Sequence, residues 1–212
     1  MANQPAPKRL DESVNNFTVK IATANGTGSA SANGLIMKSL FRMGIPVSGK
    51  NYFPSNIQGM PTWYEVRASR DGYIARAEDV DMVIAMNAET YARDVQDVRS
   101  GGFLLYDSSW PRANVLTRDD ITVLGIPLAQ MCNEEFQGAR NRILMKNIAY
   151  AGALAALINL DMDVIRTLLG ETFRSKTHLI DSNMKAIELG YNYAIENFDC
   201  PLPFTAEKMD KT

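Results

Sequence analysis

The stretch Phe17–Gly34, FTVKIATANGTGSASANG, constrains the possible fold more than any other part of the chain. Its first half, Phe17–Ala24, alternates apolar and polar residues and is rich in β-branched types, a pattern that predicts a strand. Asn25-Gly26-Thr27-Gly28 then makes a tight turn with little side-chain bulk. Ser29-Ala30-Ser31-Ala32-Asn33 follows, leading into Leu35-Ile36-Met37 and Leu40-Phe41 at helical spacing. A strand that passes through a glycine turn into a helix leaves backbone N–H groups facing outward at the positive end of the helix dipole. That geometry suits a phosphate or pyrophosphate, and small residues in the first turn let a ligand approach the backbone. As a dinucleotide fingerprint the motif is incomplete. Gly26 and Gly28 supply G-x-G, but Ser31 stands where a third glycine belongs, and no acidic residue closes a second strand near Val47. The residues alone leave two meanings open: a phosphate-binding loop, or a strand–helix turn that is only structural.

The helix predicted from Ser29 to Met43 ends at Gly44, and Lys38 and Arg42 share one of its faces. Ile45-Pro46-Val47 begins a second short strand. Ser48–Thr62 is too polar and too punctuated by Gly and Pro for either periodic element, yet it carries Tyr52, Phe53, Ile57 and Met60, so an ordered functional loop is expected. Trp63–Ala68 and Tyr73–Ala75 flank Ser69-Arg70-Asp71-Gly72, a hairpin signal. Asp81–Asn87, Phe103–Asp107 and Ile121–Pro127 read as further strands. Helices over about Ala88–Val98 and Ala129–Phe136 alternate with them, with Gly101-Gly102 as a reset between the first of these helices and Phe103–Asp107. The alternation implies a three-layer, Rossmann-like α/β fold: a mostly parallel sheet with an antiparallel hairpin, followed by a C-terminal helical cluster. Asn25, Asn87 and Ser108-Ser109 each close a strand, where open α/β sheets bind ligands.

The cluster comprises Arg142–Leu160, Asp161–Leu169 and Ser175–Asn197, with Asp161 and Ser175 as N-caps and Gly170 and Gly190 as soft points. The expected organisation is a flexible arm over 1–16, an α/β domain over 17–198 and a linker and tail over 199–212. Charge and composition narrow the function classes. A net charge of −2 argues against broad electrostatic capture of nucleic acid. The longest apolar stretch, Ile143–Leu160, is broken by Lys146, Asn147 and Asn159, which favours a buried helix over a membrane span. No apolar run near the start resembles a secretory signal. Cys132 and Cys200, the 2 cysteines, fit a reducing cytoplasm and leave this chain unable to ligate zinc or an iron–sulfur cluster by cysteine alone. His178 reads as a surface residue, Cys132 as core, and the acidic pairs Asp119-Asp120 and Asp161/Asp163 as a turn and a helix start. No catalytic or metal-binding residue is assigned.

With these segments laid out, the chain resembles the gamma subunit, or gamma domain, of the 2-oxoacid:ferredoxin oxidoreductases. The likeness rests on NGTGSASAN (Asn25–Asn33), SGKNYFPSNIQGMPTWYEVR (Ser48–Arg67), AMN (Ala85–Asn87), LLYDSSWP (Leu104–Pro111), ARNRILMKNIAYAGALAAL (Ala139–Leu157) and AIELGYNYA (Ala186–Ala194). Gly59-Met60-Pro61 stands where pyruvate-type members have paired glycine, which places the resemblance nearest the 2-oxoglutarate type. The resemblance implies a complex that decarboxylates a 2-oxoacid on thiamine diphosphate with Mg2+ and passes two electrons through 4Fe–4S clusters to ferredoxin. The acyl group goes to coenzyme A, giving succinyl-CoA from 2-oxoglutarate, and the reaction runs in either direction, including the reductive sense. The thiamine and cluster ligands belong to the partner alpha and beta subunits or domains. The gamma unit is associated with binding and gating coenzyme A. On this basis Gly26, Thr27, Gly28, Ser29 and Ser31 are expected to contact phosphate, and Asn25 and Asn33 to orient the ligand. Ser55, Asn56 and Gln58 would contact it from the second loop, and Lys50 would neutralise a phosphate. Both a stand-alone gamma subunit and part of a longer alpha subunit fit this sequence. The rival readings are a free-standing dinucleotide-binding oxidoreductase and a purely structural subunit.

Overall fold

A computed structural model of the chain describes residues 13–53, 60–75, 78–110, 114, 116–199 and 202–209. The alternating segment at the start forms β1 (Asn16–Ala24), and the apolar runs form β4 (Val80–Ala85), β5 (Val98–Asp107) and β6 (Thr122–Ile126). Together with β2 (Val47–Tyr52) and β3 (Pro61–Ser69) they make a six-stranded sheet in the order β2-β3-β1-β4-β5-β6. β1, β4, β5 and β6 run parallel, while β3 is antiparallel to both β1 and β2. The mostly parallel sheet with one antiparallel hairpin is as expected.

The hairpin itself is built differently. Its arms are β2 and β3, and Tyr73–Ala75 is not a strand. Both edges of β3 are already taken, one by β1 and the other by β2, so no edge is left for residues 73–75. Asp71-Gly72 still turns the chain: Gly72 has φ +79° and donates its N–H to the Ser69 carbonyl at 3.0 Å. The first part of the segment read as a loop, Ser48–Tyr52, is therefore strand. It lies on the sheet edge and is half-buried to exposed, so it lacks the apolar alternation that marks a covered strand. Gly101-Gly102 lies inside β5 rather than before it. A Cβ on Gly102 would come within 2.9 Å of the Asp81 carbonyl oxygen, which explains the glycine beside the register shift between β4 and β5.

The sheet separates two cores. Phe17, Val19 and Ile21 enter the larger one, with Leu35, Ile36 and Leu40 of α1 (Ser29–Arg42) and Ile148, Tyr150 and Leu154 of α4 (Ala139–Leu157). This core also draws on α3 (Leu128–Glu135), α5 (Met162–Phe173) and α6 (Thr177–Asn197). A smaller core lies under α2 (Tyr91–Asp97), where Tyr91 and Val95 meet Val83, Ala85 and Leu104. α2 is also tied down by polar contacts. Lys20 pairs with Asp97 at 2.6 Å, Trp63 Nε1 donates to Asp94 at 2.8 Å, and Thr90 Oγ1 donates to Asp94 at 2.6 Å. Burial pushes the Asp94 carboxyl up to about 6, against the two hydrogen bonds that favour its charged form.

α4 and α6 cross at two glycines. A Cβ on Gly190 would run into the Ala149 carbonyl oxygen, and one on Gly152 into the Ile187 carbonyl oxygen. Gly190 is therefore a close-approach position, not a soft point. α5 begins as expected, with Asp161 accepting from the N–H groups of Asp163 at 2.8 Å and Val164 at 3.3 Å. α6 instead starts at Thr177 after Lys176, with no side-chain cap, so Ser175 does not serve as one.

The stretch read as linker and tail is packed on the domain where it is described. Leu202, Phe204 and Ala206 are buried, and the Phe204 ring lies 5.3 Å from that of Phe17 and 6.2 Å from that of Phe103. Val14 and Thr205 form a parallel bridge, and Asn15 Nδ2 donates to the Glu207 carbonyl at 2.9 Å. An apolar residue every second position, Leu202, Phe204 and Ala206, was the available signal for this packing.

Candidate functional site at the carboxyl edge of the sheet

β1, β4 and β5 all end on one edge, bringing Asn25–Gly28, Met86-Asn87 and Asp107–Trp110 together. Gly26 and Gly28 have φ of +84° and +83°, a left-handed conformation that suits glycine. Gly28 is the N-cap of α1 and brings no side chain to cap it; among the described residues none caps it from elsewhere, and its first turn holds no acidic residue. Its positive end is therefore left to a ligand or solvent.

The turn is held from two sides. Asn25 donates its backbone N–H to the Met60 carbonyl at 3.0 Å, which joins the glycine turn to the far end of the second loop. From α4, Asn147 Nδ2 donates to the Thr27 carbonyl at 2.8 Å and to Thr27 Oγ1 at 3.3 Å. The Leu144 side chain occupies the space a Cβ on Gly28 would need. α4 likewise starts without a side-chain cap or an acidic first turn, after Gly138 at φ +84°, and carries Arg140, Arg142 and Lys146 within its first turns. Cations at a helix N-terminus oppose its dipole, so this end of α4 gathers positive charge at a cost to the helix.

The expected site residues fall into three groups. Gly26, Thr27, Gly28 and Ser31 lie at the turn and are exposed or half-buried; the Thr27 hydroxyl donates to the Ala24 carbonyl at 2.8 Å, and the Asn25 side chain accepts from the Gly26 N–H at 3.0 Å. Ser29 and Asn33 point inward. Ser29 Oγ accepts from Thr23 Oγ1 at 3.0 Å, and Asn33 Oδ1 accepts from the buried Tyr150 hydroxyl at 2.7 Å, so these two brace α1 against β1 and α4. Lys50 sits within β2, its ammonium 5.3 Å from the Tyr52 ring centroid. Ser55, Asn56 and Gln58 lie outside the described residues. Phe53 and Met60, on either side of them, border a cavity of about 390 Å3 with Tyr52, Pro61, Trp63 and Arg93.

Of the other strand ends, Asn87 is 8% exposed and its buried Nδ2 has no hydrogen-bond partner, while Oδ1 accepts from the Glu89 N–H at 3.1 Å. A buried amide left unpaired is costly and points to a group that pairs with it on binding. Asp107 and Ser109 are used internally: Asp107 Oδ1 accepts from Ser109 Oγ at 2.7 Å and the Ala129 N–H at 3.2 Å, and Ser109 Oγ accepts from the Gln130 N–H at 3.0 Å. They cap α3. Asp107 Oδ2 also accepts from Lys146 Nζ at 3.3 Å. The α4 residues Arg142, Leu144, Lys146 and Asn147 were not assigned from the sequence, although ARNRILMKN places three cations ahead of an apolar helix. Among the described residues no group of His, Cys, Asp and Glu side chains converges as a metal site, and no helix is long and apolar enough to cross a membrane.

The mostly parallel sheet thus carries at its carboxyl edge a glycine turn opening α1, with the cation-bearing first turns of α4 beside it. Residues 18–193 match the family model described as pyruvate ferredoxin/flavodoxin oxidoreductase, and the chain belongs to that family. It is 25% identical to subunit alpha of 2-oxoacid:ferredoxin oxidoreductase 2 of Aeropyrum pernix, over 85% of this chain and 34% of that protein. It is 29% identical to ketoisovalerate oxidoreductase subunit VorA of Methanothermobacter marburgensis, over 56% of this chain and 24% of that one. The chain thus spans a quarter to a third of the length of these curated relatives. The same fold occurs in the 2-oxoglutarate:ferredoxin oxidoreductase of Magnetococcus marinus, solved with 2-oxoglutarate, coenzyme A and succinyl-CoA (TM-score 0.81, 22% identity, 92% of this chain and 34% of that one). It occurs also in the keto/oxoacid ferredoxin oxidoreductase gamma subunit of Geobacter sulfurreducens (TM-score 0.66, 18% identity, 85% of this chain and 99% of that one).

Proposed function

We propose that this chain is the coenzyme A-binding component of a thiamine diphosphate-dependent 2-oxoacid:ferredoxin oxidoreductase, with 2-oxoglutarate as the 2-oxoacid. The observation that carries this is the open start of α1 at a glycine turn that Asn147 of α4 holds in place. Coenzyme A brings a pyrophosphate and a separate phosphomonoester, and an open helix start with the α4 cations nearby suits such a polyanion. Gly26, Gly28 and Ser31 offer backbone and hydroxyl donors there, and Asn87 Nδ2 offers an unpaired amide. Thr27, Ser29 and Asn33 fix the shape of the turn. Ser55, Asn56 and Gln58 are assigned to contact the ligand from the second loop, and Lys50 to neutralise a phosphate. When bound, coenzyme A supplies the thiol that takes up the acyl group. None of these residues is assigned a role as acid or base in the reaction. Thiamine diphosphate, Mg2+ and the 4Fe–4S clusters are assigned to the partner alpha and beta components, with ferredoxin as electron acceptor and the cytoplasm as location.

Isothermal titration with coenzyme A tests the reading. Saturable binding is expected, weakened at least about tenfold in Gly28→Ala, whose added methyl strains a positive φ and displaces Leu144. Lack of binding by the wild-type chain refutes it. So does a complex that forms succinyl-CoA and reduces ferredoxin at full rate without this chain.

A further inference from the structure

A second cleft opens on the α4 side of the glycine turn. It has a volume of about 250 Å3 and is lined by Trp110, Ala129, Asn133, Arg142, Ile143 and Lys146, with Ala139 at its rim. Resting on the coenzyme A reading above, we propose that this cleft is the subsite for the 3′-phosphoadenosine end of the coenzyme. In it, Arg142 and Lys146 take the 3′-phosphate and Trp110 stacks on the purine.

Three observations support the assignment. The first is charge. Among the described residues Arg142 spends only its Nε, donating to the Phe136 carbonyl at 2.8 Å, and this fixes the guanidinium at the cleft wall. Lys146 is paired with the buried Asp107, but at a loose 3.3 Å. One carboxylate against two cations leaves the cleft with a net positive charge, reinforced by the uncapped start of α4. Arginine with a neighbouring lysine is suited to a phosphomonoester, which presents several acceptor oxygens at once.

The second is the aromatic wall. Trp110 is 55% exposed and Ile143 is 47% exposed, an apolar surface that the fold leaves uncovered next to the two cations. A planar base beside a phosphate matches that juxtaposition, because any base offers a π face for stacking.

The third is placement. Leu144 and Asn147 of α4 touch the glycine turn, while Ile143 and Lys146 face the cleft. Each of these pairs is three residues apart, and the two stripes differ by one residue, about 100° around the helix. The turn and the cleft are thus neighbouring faces of the same two helical turns. In coenzyme A the pyrophosphate and the 3′-phosphate are carried on one ribose, and that connectivity fits two adjacent anion sites of this kind.

The test compares three ligands by isothermal titration against the full chain: coenzyme A, dephospho-coenzyme A, which lacks only the 3′-phosphate, and 4′-phosphopantetheine, which lacks the nucleoside. Wild type is expected to prefer coenzyme A over the dephospho form by roughly ten- to a hundredfold, the range for a charge-assisted hydrogen bond. Arg142→Gln is expected to bring coenzyme A down to the dephospho level while leaving dephospho-coenzyme A unchanged. Trp110→Ala is expected to weaken both nucleotides by about fivefold or more and to leave 4′-phosphopantetheine unaffected. Thermal melts of both variants confirm that they fold. The inference is overturned if wild type binds the two nucleotides equally, or if Arg142→Gln weakens both by the same factor. It is also overturned if the variants bind all three ligands normally but no longer assemble with the thiamine-site component, which would make the cleft a protein interface. In each of these cases the glycine-turn reading stands. If wild type binds none of the three ligands, both readings fall.

Discussion

The α4–α6 crossing makes a prediction that separates two kinds of helical glycine. Gly190 is buried in α6 and Gly170 is half-buried in α5. Each lies inside a helix, where alanine is intrinsically preferred by about 1 kcal/mol. Nothing lies within 4 Å of a Cβ on Gly170, so Gly170→Ala gains most of that preference. On Gly190 the same Cβ collides with the Ala149 carbonyl oxygen and comes within 2.8 Å of its carbon and 3.0 Å of the Ala153 nitrogen. All three are backbone atoms of α4, so no side-chain rotation relieves the collision and the helices must move apart. Overpacking of this kind costs about 3 kcal/mol at the upper end of the usual range. Less the propensity gain, the net loss is about 2 kcal/mol. At roughly 2–4 °C per kcal/mol for a domain of this size, Tm falls by about 4–8 °C in Gly190→Ala and rises by about 1–4 °C in Gly170→Ala. Thermal unfolding followed by far-ultraviolet circular dichroism reads both shifts. Two variants with the same sign of shift would refute the claim that the crossing, rather than helix propensity, sets the residue at 190.

Phe204→Ala removes a ring stacked on Phe17 and edge-on to Phe103 and is expected to cost about 3–5 kcal/mol in urea unfolding; an unchanged midpoint would mean that residues 202–209 are a tail after all. Asp94 gives a pH signature. Its native carboxyl, pushed up to about 6, holds its proton to higher pH than in the unfolded chain, so unfolding releases a proton between about pH 4 and 6 and stability falls as pH rises through that window. The loss is at most about 3 kcal/mol, and Asp94→Asn is expected to abolish that part of the slope; an identical pH profile in wild type and variant would contradict it. Asp161 works in the opposite sense. The Lys208 ammonium, aided by two backbone N–H groups, holds its carboxyl below the usual range, so its cap is present at neutral pH and lost in acid. Asp161→Ala should cost about 1 kcal/mol at pH 7, with the difference from wild type disappearing as the pH falls below the carboxylate range.

Much of the architecture is legible because burial writes a period into the sequence. β1 is apolar every second residue on its larger-core face, while Met82–Ala85 of β4 and Phe103–Leu105 of β5 are continuous apolar runs because both faces are covered there. Edge strand β2 carries no such record. Its Ser48, Gly49 and Lys50 meet solvent, and only pairing with β3 makes them strand. Of the site, the glycine turn announced itself through local backbone demands. Ser29 and Asn33 look the same in sequence whether they face a ligand or the core, and only the positions of Thr23 and Tyr150 show which way they point. The α4 residues were hidden for another reason. Asn147 meets Thr27 across a separation of 120 positions, and no local pattern reports a contact of that separation.

The bridge between Val14 and Thr205 has a consequence for how this unit is deployed. It joins the two ends of the described chain at the amino end of β1, while the ligand edge lies at the other end of the same strand, about 30 Å away for nine residues. A unit whose entry and exit sit side by side, on the pole opposite its working surface, is a cassette. It can be spliced into a larger polypeptide, or cut and rejoined as a circular permutant, without disturbing the glycine turn. Its counterparts take up about a third of the Aeropyrum chain and nearly the whole of the Geobacter one. The side-by-side ends give a physical reason why one domain serves in both settings.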